Sequence, residues 1–477
     1  MQLKNRNLEI VLWIGCLELM RYTITRALKV GISHDEAFTF IHYVPKSFHG
    51  IVYYDPPLIP NNHILNTLLI KLSTFLFGAS EFTLRLPNLI FHALFLIFSM
   101  QWLKQLHNKW TWIVGFIFLN INVYLLDFFS LGRGYGMGVS LTFISIYHFF
   151  QYHKHQKLSS NYFAYGTAAL AVYANFTFLY YYLALIGLFN ILFLTQKPGI
   201  VSFLKRNIPM LIISAVLTYI IYAPLVNIQA ELFGGHGSFW VDTLESLTWS
   251  YLYHHNYDWA SPLADFIGYL LLGGLLTYGV SLVVRKKVLS PLGISIILLS
   301  LVVLTQVVQH HVMGTPYITN RTAIIYFPLF FVFLTCLFHE LQSFHTIIRY
   351  SSQVIFGGIA LGVLMNSASH FNFREASEWN YDYTTKGMVE YVRDHNPEKE
   401  HISIGASWPL KPSILYYKTI WELEWLQDPS FVDLMDAEND YYIVEFFSNR
   451  ELENKAPNDS KLIGAYDNRI KFYKAEE

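Results

Sequence analysis

Long apolar runs recur from end to end of the chain, and they limit what it can fold into more than any other feature of the sequence. Apolar residues make up 53% of the 477 residues, and charged residues only 14%. One helix of about 20 apolar residues crosses the hydrocarbon core of a bilayer. The sequence therefore predicts a polytopic α-helical membrane protein. With a formal net charge of −1, it is not predicted to bind nucleic acid.

Windows of this length predict about eleven transmembrane helices. They cover residues 8–25, 86–103, 110–126, 135–150, 162–176, 179–194, 208–225, 263–284, 288–308, 323–341 and 351–365. A further apolar segment, residues 64–77, is shorter and is interrupted by Asn66 and Lys71. We expect this segment to lie in the membrane interface as an amphipathic helix.

The charges of the loops indicate the orientation of the chain. With residues 64–77 in the interface, nearly all loop Lys and Arg residues fall on the side of the amino terminus, which is typical of cytoplasmic loops. The opposite loops after the second span hold only Arg133 and Arg321 as basic residues. The amino terminus is therefore predicted to lie in the cytoplasm. The outer face then carries a long first loop, about residues 27–85, and the chain after residue 369.

The carboxyl-terminal part differs from the rest in charge and in periodicity. After Ser369 there are 12 Lys and Arg against 21 Asp and Glu. Helix signals occur in "TTKGMVEYVRDHNP", strand signals in "HISIGA" and "DYYIVEFF", and a hairpin pattern in "KLIGAYDNRIKFYK". We predict a transmembrane domain over residues 1–369 and a small soluble α/β domain, outside the cytoplasm, over residues 370–477.

Two adjacent acids, Asp35 and Glu36, lie near the start of the first outer loop. Neighbours on a helix point about 100° apart, so only one of the two is expected to face a given substrate. Acids are also favoured at the start of a helix by its macrodipole, which leaves a purely structural role open. His63 lies in the same loop and could join a site there.

Further charges lie at the outer ends of predicted spans. Asp127 ends the third span, and Arg133 opens the fourth among glycines at 132, 134, 136 and 138. We interpret the glycines as sites of close helix packing, and Arg133 as the group that could contact an anion, although an ion pair with Asp127 is the alternative. Arg321, at the entry of the tenth span, is suited to a lipid phosphate.

Four segments in this order resemble a known superfamily. They are "HDEAFTF", "PPLIPNNHILNTLLIKLSTFLFGASEFTLRLPN", "LDFFSLGRGYGMG" and "PYITNRTAIIYFPLF". Together they resemble the GT-C superfamily of polyprenyl-phosphate-sugar-dependent glycosyltransferases, especially protein O-mannosyltransferases and the lipid A aminoarabinose transferase. The resemblance implies a GT-C fold, with interfacial helices in the first outer loop and a soluble extracytoplasmic domain at the carboxyl terminus.

The resemblance also implies roles for particular residues. The implied catalytic residues are Asp35, Glu36 and Asp127. The implied partners of the donor phosphate are Arg133, Arg321 and His63. Some relatives have a Glu-Lys pair before the double proline and use its acid for a metal, whereas this chain has Tyr54-Asp55 there. A divalent metal cofactor is therefore left open, with candidate ligands Glu36, His63 and Asp127.

The implied activity is an inverting transfer of a hexose or pentose from a polyprenyl-phosphate donor to an acceptor hydroxyl on a lipid, a glycan or a protein. A phosphate leaving group needs a base for the acceptor and cations for the phosphate, but no glycosidase-type general acid. Cys16 and Cys336 lie in predicted spans, so the exposed parts lack disulfides, which together with the resemblance favours the periplasmic face of a bacterial inner membrane. The alternatives are a transporter or flippase of a lipid-linked sugar, and a glycan ligase with a diphosphate-linked donor.

Overall fold

Helices form most of the chain in the computed structural model, which describes residues 2–57, 59–195, 199–228, 233–255, 257–285, 290–431, 439–446, 460–467 and 469–476. The α-helices are α1 Gln2–Lys29, α2 His34–His42, α3 Phe48–Val52, α4 Ile64–Phe77, α5 Glu81–Lys104, α6 Lys109–Asn120, α7 Val123–Phe129, α8 Gly134–His155, α9 Leu158–Ala174, α10 Leu179–Thr195, α11 Ile200–Asn227, α12 Ser246–Tyr251, α13 Ala260–Arg285, α14 Pro291–Met313, α15 Tyr326–Leu341, α16 Thr346–His370, α17 Thr385–Asp394 and α18 Lys411–Ile420. The strands are β1 Ile404–Ala406, β2 Ser430–Phe431, β3 Tyr441–Glu445, β4 Ser460–Tyr466 and β5 Ile470–Ala475.

The predicted spans fall on helices, the third of them on two, and residues 288 and 289 of the ninth lie outside the described residues. The number of membrane crossings is not confirmed. Among the described residues, five segments are long and apolar enough to cross a bilayer: Glu81–Lys104, Phe176–Leu194, Ile200–Asn227, Pro291–Met313 and Thr346–His370. The bent pair of α6 and α7 would make a sixth. The prediction of several apolar helices is therefore confirmed, whereas the count of eleven stays a prediction. The expected interfacial segment is the 14-residue helix α4.

The predicted third span is broken in the middle by two asparagines. Ile121 leaves the helical region, with φ −104° and ψ 66°, and the side chain of Asn122 accepts a hydrogen bond from the backbone N–H of Leu125 at 3.2 Å. Asparagine is among the best residues for capping a helix start. A new helix therefore begins after Asn122, bent by 59° from α6, and it carries Asp127.

The chain divides into two units. The first comprises Met1–Ile24, Val52–Asn66 and Pro87–Phe371, and it contains helices α6 to α16. The second comprises Thr25–Ile51, Thr67–Leu86 and Asn372–Glu477. The first loop, which the sequence analysis assigns as a whole to the membrane domain, is thus shared between the units.

The second unit contains a five-stranded mixed sheet in the order β2-β1-β3-β5-β4. The central strand β3 pairs in parallel with β1, where Gly405 lies opposite Tyr442, and antiparallel with β5, where Ile443 lies opposite Phe472. Strands β4 and β5 form the expected antiparallel hairpin, although residue 468 of its turn lies outside the described residues. The predicted helix and strands are confirmed, while α18 and β2 are additional.

The core of the second unit combines the carboxyl-terminal sheet with residues from the first loop. Side chains of the sheet, α17 and α18 form most of this core, including Val389, Ile404, Ile414 and Ile443. Five of its buried members come from the earlier segments: Ile32, Ala37, Val44, Ile70 and Leu84. Burial of apolar area is the main favourable term in folding. The early segments are therefore structural parts of the same hydrophobic core as the sheet.

Candidate active site

Arg133 immediately precedes α8 in the first unit, and its side chain is buried. Its Nη1 donates hydrogen bonds to the side-chain Oδ1 of Asn61 at 2.5 Å and to the backbone carbonyl of Asn61 at 3.2 Å. Its Nη2 donates to Nε2 of His63 at 3.0 Å. A guanidinium stays charged at any ordinary pH, and a buried charge is tolerated only with polar partners. The residues before α4 therefore hold a permanent cation at the start of α8.

A chain of asparagine side chains fixes the turn that carries Arg133. Asn66 donates to the backbone carbonyl of Gly132 at 2.9 Å, and Asn88 donates to the side-chain carbonyl of Asn66 at 2.8 Å. The backbone N–H of Met137 donates in turn to Oδ1 of Asn88 at 3.1 Å. Networks of this kind rigidify a site when each member is satisfied. The start of α8 is thus joined to α4 and α5 at a fixed position.

The glycines around Arg133 permit close packing of backbone. A Cβ on Gly134 would lie 2.1 Å from the carbonyl oxygen of Ala174 and 2.6 Å from Nδ1 of His63. A Cβ on Gly136 would lie 2.6 Å from the carbonyl oxygen of Phe128. No side chain fits at such distances, so these two positions require glycine. The interpretation of the glycines as packing sites is confirmed for Gly134 and Gly136, and for Gly138, where a Cβ would lie 2.4 Å from the ring of Phe178.

His63 is neutral, and it orients Arg133. Burial lowers the pKa of His63 well below its ordinary value, and the positive charges of Arg133 and Arg321 lower it further, against a hydrogen bond to the backbone of Ala174. A neutral imidazole has one nitrogen that accepts and one that donates. Because Arg133 has only donors, Nε2 of His63 must be the acceptor. Both ring nitrogens therefore contact protein groups.

The depressed pKa of His63 predicts acid sensitivity. The unfolded chain binds a proton at His63 below about pH 6.5, whereas the folded chain does not, so stability is lost as the pH falls through this value. The loss grows by at most about 1.4 kcal/mol per pH unit. We expect the thermal unfolding midpoint in detergent to fall between pH 7 and pH 5 more steeply in the wild type than in His63→Gln, whose amide oxygen still accepts from Arg133. Equal slopes would contradict this assignment.

Arg321 belongs to the same group of charges. It lies in the 3₁₀ helix Asn320–Ala323, and the backbone N–H of Asn320 donates to the hydroxyl of Ser246 at 3.0 Å. Its guanidinium lies 5.8 Å from the ring centre of Phe233 and is only partly buried. Its charge acts on His63, as does that of Arg133. Of the three residues that the resemblance assigns to the donor phosphate, Arg133 and His63 are in direct contact, and Arg321 contributes to the lowered pKa of His63. Their binding of a phosphate stays a prediction.

Asp127 is buried in α7 and has a specific partner. The hydroxyl of Tyr253 donates to Oδ2 of Asp127 at 2.7 Å. Tyr253 and His254 both have φ of 60°, a region that residues other than glycine seldom adopt. Such strain is concentrated at functional sites. Sequence analysis misses Tyr253 as a partner, because an aromatic residue near a membrane edge is by default part of the interfacial belt.

Glu36 in the second unit is fully engaged with Arg85. The Nε of Arg85 donates to Oε1 of Glu36 at 2.8 Å and Nη2 donates to Oε2 at 2.8 Å, with both side chains 0% exposed. Oε2 also accepts from the backbone N–H and hydroxyl of Ser33, which completes a capping box at the start of α2. Arg85 further donates to the backbone carbonyls of Ala27, Val30 and Gly31. The Glu36 carboxylate therefore holds the loop together.

Asp35 precedes Glu36 in the first turn of α2. Its carboxylate interacts electrostatically with the carboxyl group of Asp382. Burial raises the pKa of Asp382 well above its ordinary value, hydrogen bonds from His34 and Thr385 lower it, and the carboxylate of Asp35 raises it. Asp35 is itself 9% exposed. Sequence analysis misses Asp382, because nothing in the local pattern around residue 382 links it to the first loop.

The candidate metal ligands do not fit a metal centre. In the ranges that the structure describes, no group of three His, Cys, Asp or Glu side chains is placed to hold an ion. Glu36 already binds a guanidinium with both oxygens, and His63 lies beside two positive charges, which oppose a cation. A divalent metal cofactor stays a prediction.

The first unit also contains an apolar cavity of about 370 Å³. It is bounded by residues from the π-helical segment Phe239–Glu245, from α12 to α16 and from the segments between them, including Phe239, Tyr251, Trp259, Leu270, Phe331 and Val363. The 3₁₀ helix of Arg321 precedes α15, whose first residues Tyr326 and Phe327 line the same cavity. A cavity of this size and polarity suits part of a hydrocarbon chain.

Comparison with known proteins finds a family that matches part of the chain and a similar fold. The family described as dolichyl-phosphate-mannose-protein mannosyltransferase matches residues 61–227, which include His63, Asp127 and Arg133. The crystal structure of ArnT from Cupriavidus metallidurans in the apo state superposes with a TM-score of 0.54 over 98% of both chains, at 8% identity. The same protein bound to undecaprenyl phosphate gives a TM-score of 0.49 over 97% of both chains, at 9% identity. No curated protein sequence gives a significant match.

At 8% identity the likeness to apo ArnT establishes the fold alone. The matched family adds similarity of sequence through the segment that builds the Arg133 turn. The predicted resemblance is thereby confirmed: residues 61–227 are similar to the mannosyltransferase family, and the fold is similar to that of apo ArnT.

Proposed function

We propose that this protein is an inverting glycosyltransferase that moves a sugar from a polyprenyl-phosphate donor to an acceptor hydroxyl at the periplasmic face of a bacterial inner membrane. The observation that carries the proposal is the buried guanidinium of Arg133, which Asn61 and His63 hold at the start of α8 within the segment that matches the mannosyltransferase family. The proposed topology has eleven spans, a cytoplasmic amino terminus and a periplasmic carboxyl-terminal domain. The excess of loop Lys and Arg on the amino-terminal side supports that orientation.

The donor site follows from charge and polarity. Guanidiniums bind phosphate oxygens with two parallel hydrogen bonds and are more weakly hydrated than ammonium groups, so they suit a phosphate at headgroup depth. The apolar cavity that Tyr326 and Phe327 help to line would take part of the polyprenyl chain. The description of the matched family, which names a lipid monophosphate mannose donor, supports the same class of donor.

The reaction needs one proton acceptor and one anion site. In the proposed step the acceptor hydroxyl gives its proton to the carboxylate of Asp35, and its oxygen forms a bond to the anomeric carbon of the sugar. The bond from that carbon to the phosphate oxygen breaks, and the lipid phosphate leaves with the electron pair. Arg321 and Arg133 stabilise the charge that develops on the phosphate. A single displacement of this kind inverts the anomeric centre.

The other residues have supporting roles in this proposal. His63 holds Arg133 through its Nε2. Asp127, bound by Tyr253, is proposed to hydrogen-bond a hydroxyl of the donor sugar or the acceptor. Glu36 acts structurally through Arg85, which leaves Asp35 as the base of the pair.

The carrier alternative is less well supported. Carriers commonly place polar groups near the middle of the membrane, in helices related by internal repeats. In the described first unit, Arg133 and Arg321 lie at helix starts, before α8 and α15. A ligase with a diphosphate-linked donor shares these features, so the choice between monophosphate and diphosphate must be made by binding measurements.

Binding of undecaprenyl phosphate to the purified protein in nanodiscs tests the donor site. We expect Arg321→Gln to weaken binding by about 10-fold to 100-fold, because a hydrogen bond to a charged group contributes about 1.5–3 kcal/mol. The matched control is Arg206→Gln, since Arg206 also stacks on a phenylalanine, at 4.6 Å from the ring centre of Phe193. It should bind as the wild type does.

Three ligands separate the remaining possibilities. Undecaprenyl phosphate should bind more tightly than undecaprenol, which has the same chain without the phosphate. Preference for undecaprenyl diphosphate would favour the ligase. Equal loss in the Arg321→Gln and Arg206→Gln variants would remove Arg321 from the site.

A further inference from the structure

The start of α2 is capped by an acid from the carboxyl-terminal segment. The backbone N–H of His34, the first residue of α2, donates to Oδ2 of Asp382 at 2.5 Å. The first N–H groups of a helix have no acceptor within the helix. Oδ1 of Asp382 accepts from the hydroxyl of Thr385 at 3.4 Å, and the Asp382 side chain is buried. One carboxyl group thus joins α17 to the turn that carries Asp35.

Other contacts bring the same segments of the second unit together. The backbone N–H of Ile32 donates to the hydroxyl of Tyr417 at 2.9 Å, and Nδ1 of His34 lies 2.7 Å from the carbonyl oxygen of Pro409. The first contact holds the backbone before α2, and the second holds the side chain of His34. Asp382 differs from them, because it binds the backbone of the helical turn itself and is the electrostatic neighbour of Asp35.

We propose that Asp382 is a positioning residue for the catalytic base: its carboxyl group caps α2 from outside the helix and so fixes the carboxylate of Asp35 relative to the acceptor. This inference rests on the role of Asp35 in the proposed function. Asp382 touches neither reacting atom. Through Asp382, the carboxyl-terminal segment helps to set the position of the catalytic base.

The contact depends on an acceptor atom and not on a charge. A protonated carboxyl group keeps a carbonyl oxygen that accepts from His34, and an asparagine amide has a similar oxygen in a similar place. A neutral residue 382 also leaves the negative charge of the pair on Asp35, where a base needs it. Asp382→Asn should therefore preserve the position of α2, whereas Asp382→Ala removes the acceptor.

The test combines hydrogen exchange with kinetics on the full-length protein in nanodiscs. In Asp382→Ala we expect the amides of residues 33–36 to exchange at least about 10-fold faster. The turnover number should fall about 100-fold with the KM for the donor within about threefold, since a displacement of about 1 Å costs that much in rate. Asp382→Asn should restore both values to within about threefold of the wild type.

The matched control is Asp440→Ala. Asp440 also accepts from a backbone N–H, that of Ser403 at 2.7 Å, in the same unit but away from α2. It should leave both the exchange of residues 33–36 and the turnover number unchanged. The proposal is overturned if Asp382→Ala leaves exchange or turnover unchanged, if Asp382→Asn is as impaired as Asp382→Ala, or if the control loses as much turnover.

The exchange and kinetic measurements also separate this inference from the proposed function. If Asp35→Asn retains full transfer activity, the assigned base is wrong and the proposed function of Asp35 fails, whatever the exchange data give. If the wild type transfers no sugar, the proposed function fails, and the exchange of residues 33–36 alone upholds or overturns the capping of α2 by Asp382.

Discussion

Asp35→Asn should abolish sugar transfer while the protein still folds and binds its donor. A general base contributes about 10²-fold to 10⁴-fold to a rate, and asparagine cannot accept the proton of the acceptor hydroxyl. The turnover number should fall by about that factor, and the affinity for undecaprenyl phosphate should stay within about twofold. The measurement is release of label from radiolabelled polyprenyl-phosphate mannose, with native membranes as the source of acceptors.

The control for this variant is Asp394→Asn. Asp394 is an acid of the same unit, 62% exposed and paired only with its neighbour Arg393 among the ion pairs of the described residues. Its substitution should not change transfer. Retention of full activity by Asp35→Asn would leave Asp127 as the remaining candidate for the base.

The largest effect on stability is expected for Glu36→Gln. This change leaves the guanidinium of Arg85 buried without its carboxylate, and removing one partner of a buried ion pair costs about 3–5 kcal/mol. The thermal unfolding midpoint of the purified protein should fall sharply, and expression in the membrane should drop. Transfer activity per folded molecule should be affected less than in Asp35→Asn.

An exposed pair of the same type gives the comparison. Asp467 accepts from Nη2 of Arg374 at 2.8 Å in the same unit, with the two side chains 56% and 55% exposed. Exposed pairs contribute less than about 1 kcal/mol, because water solvates both charges in any conformation. Asp467→Asn should therefore leave the midpoint nearly unchanged. Equal shifts in the Asp467→Asn and Glu36→Gln variants would show that the Glu36 pair is not specially important.

Features with a short sequence period were predictable. Helix α4 begins and ends at the residues expected from its apolar pattern, and the β4–β5 hairpin follows from alternation around a turn. The packing role of Gly134 was also foreseen, because four glycines at alternate positions leave little side chain to separate helices. Each of these features depends on the pattern of residues within one short segment of the sequence.

Contacts between distant residues were not predictable. Glu36 and Arg85 are 49 positions apart, and His34 and Asp382 are 348 apart. A single sequence shows each of these residues as a charge near a helix start, where several local explanations apply. Asp35 could be chosen over Glu36 as the proposed base only once Arg85 was known to be the partner of Glu36. The break at Asn122 was missed for a different reason, because apolar residues continue on both sides of it.

The composite core of the second unit has a consequence for biosynthesis. Ile32, Ala37 and Val44 leave the ribosome long before their partners in the sheet, such as Ile443 and Phe472. Until then, the early segment has no complete apolar surface to pack against, and closing a loop of several hundred residues carries an entropic cost. The second unit can therefore mature only after the sheet has been synthesised, and the proposed base acquires its final position at that stage.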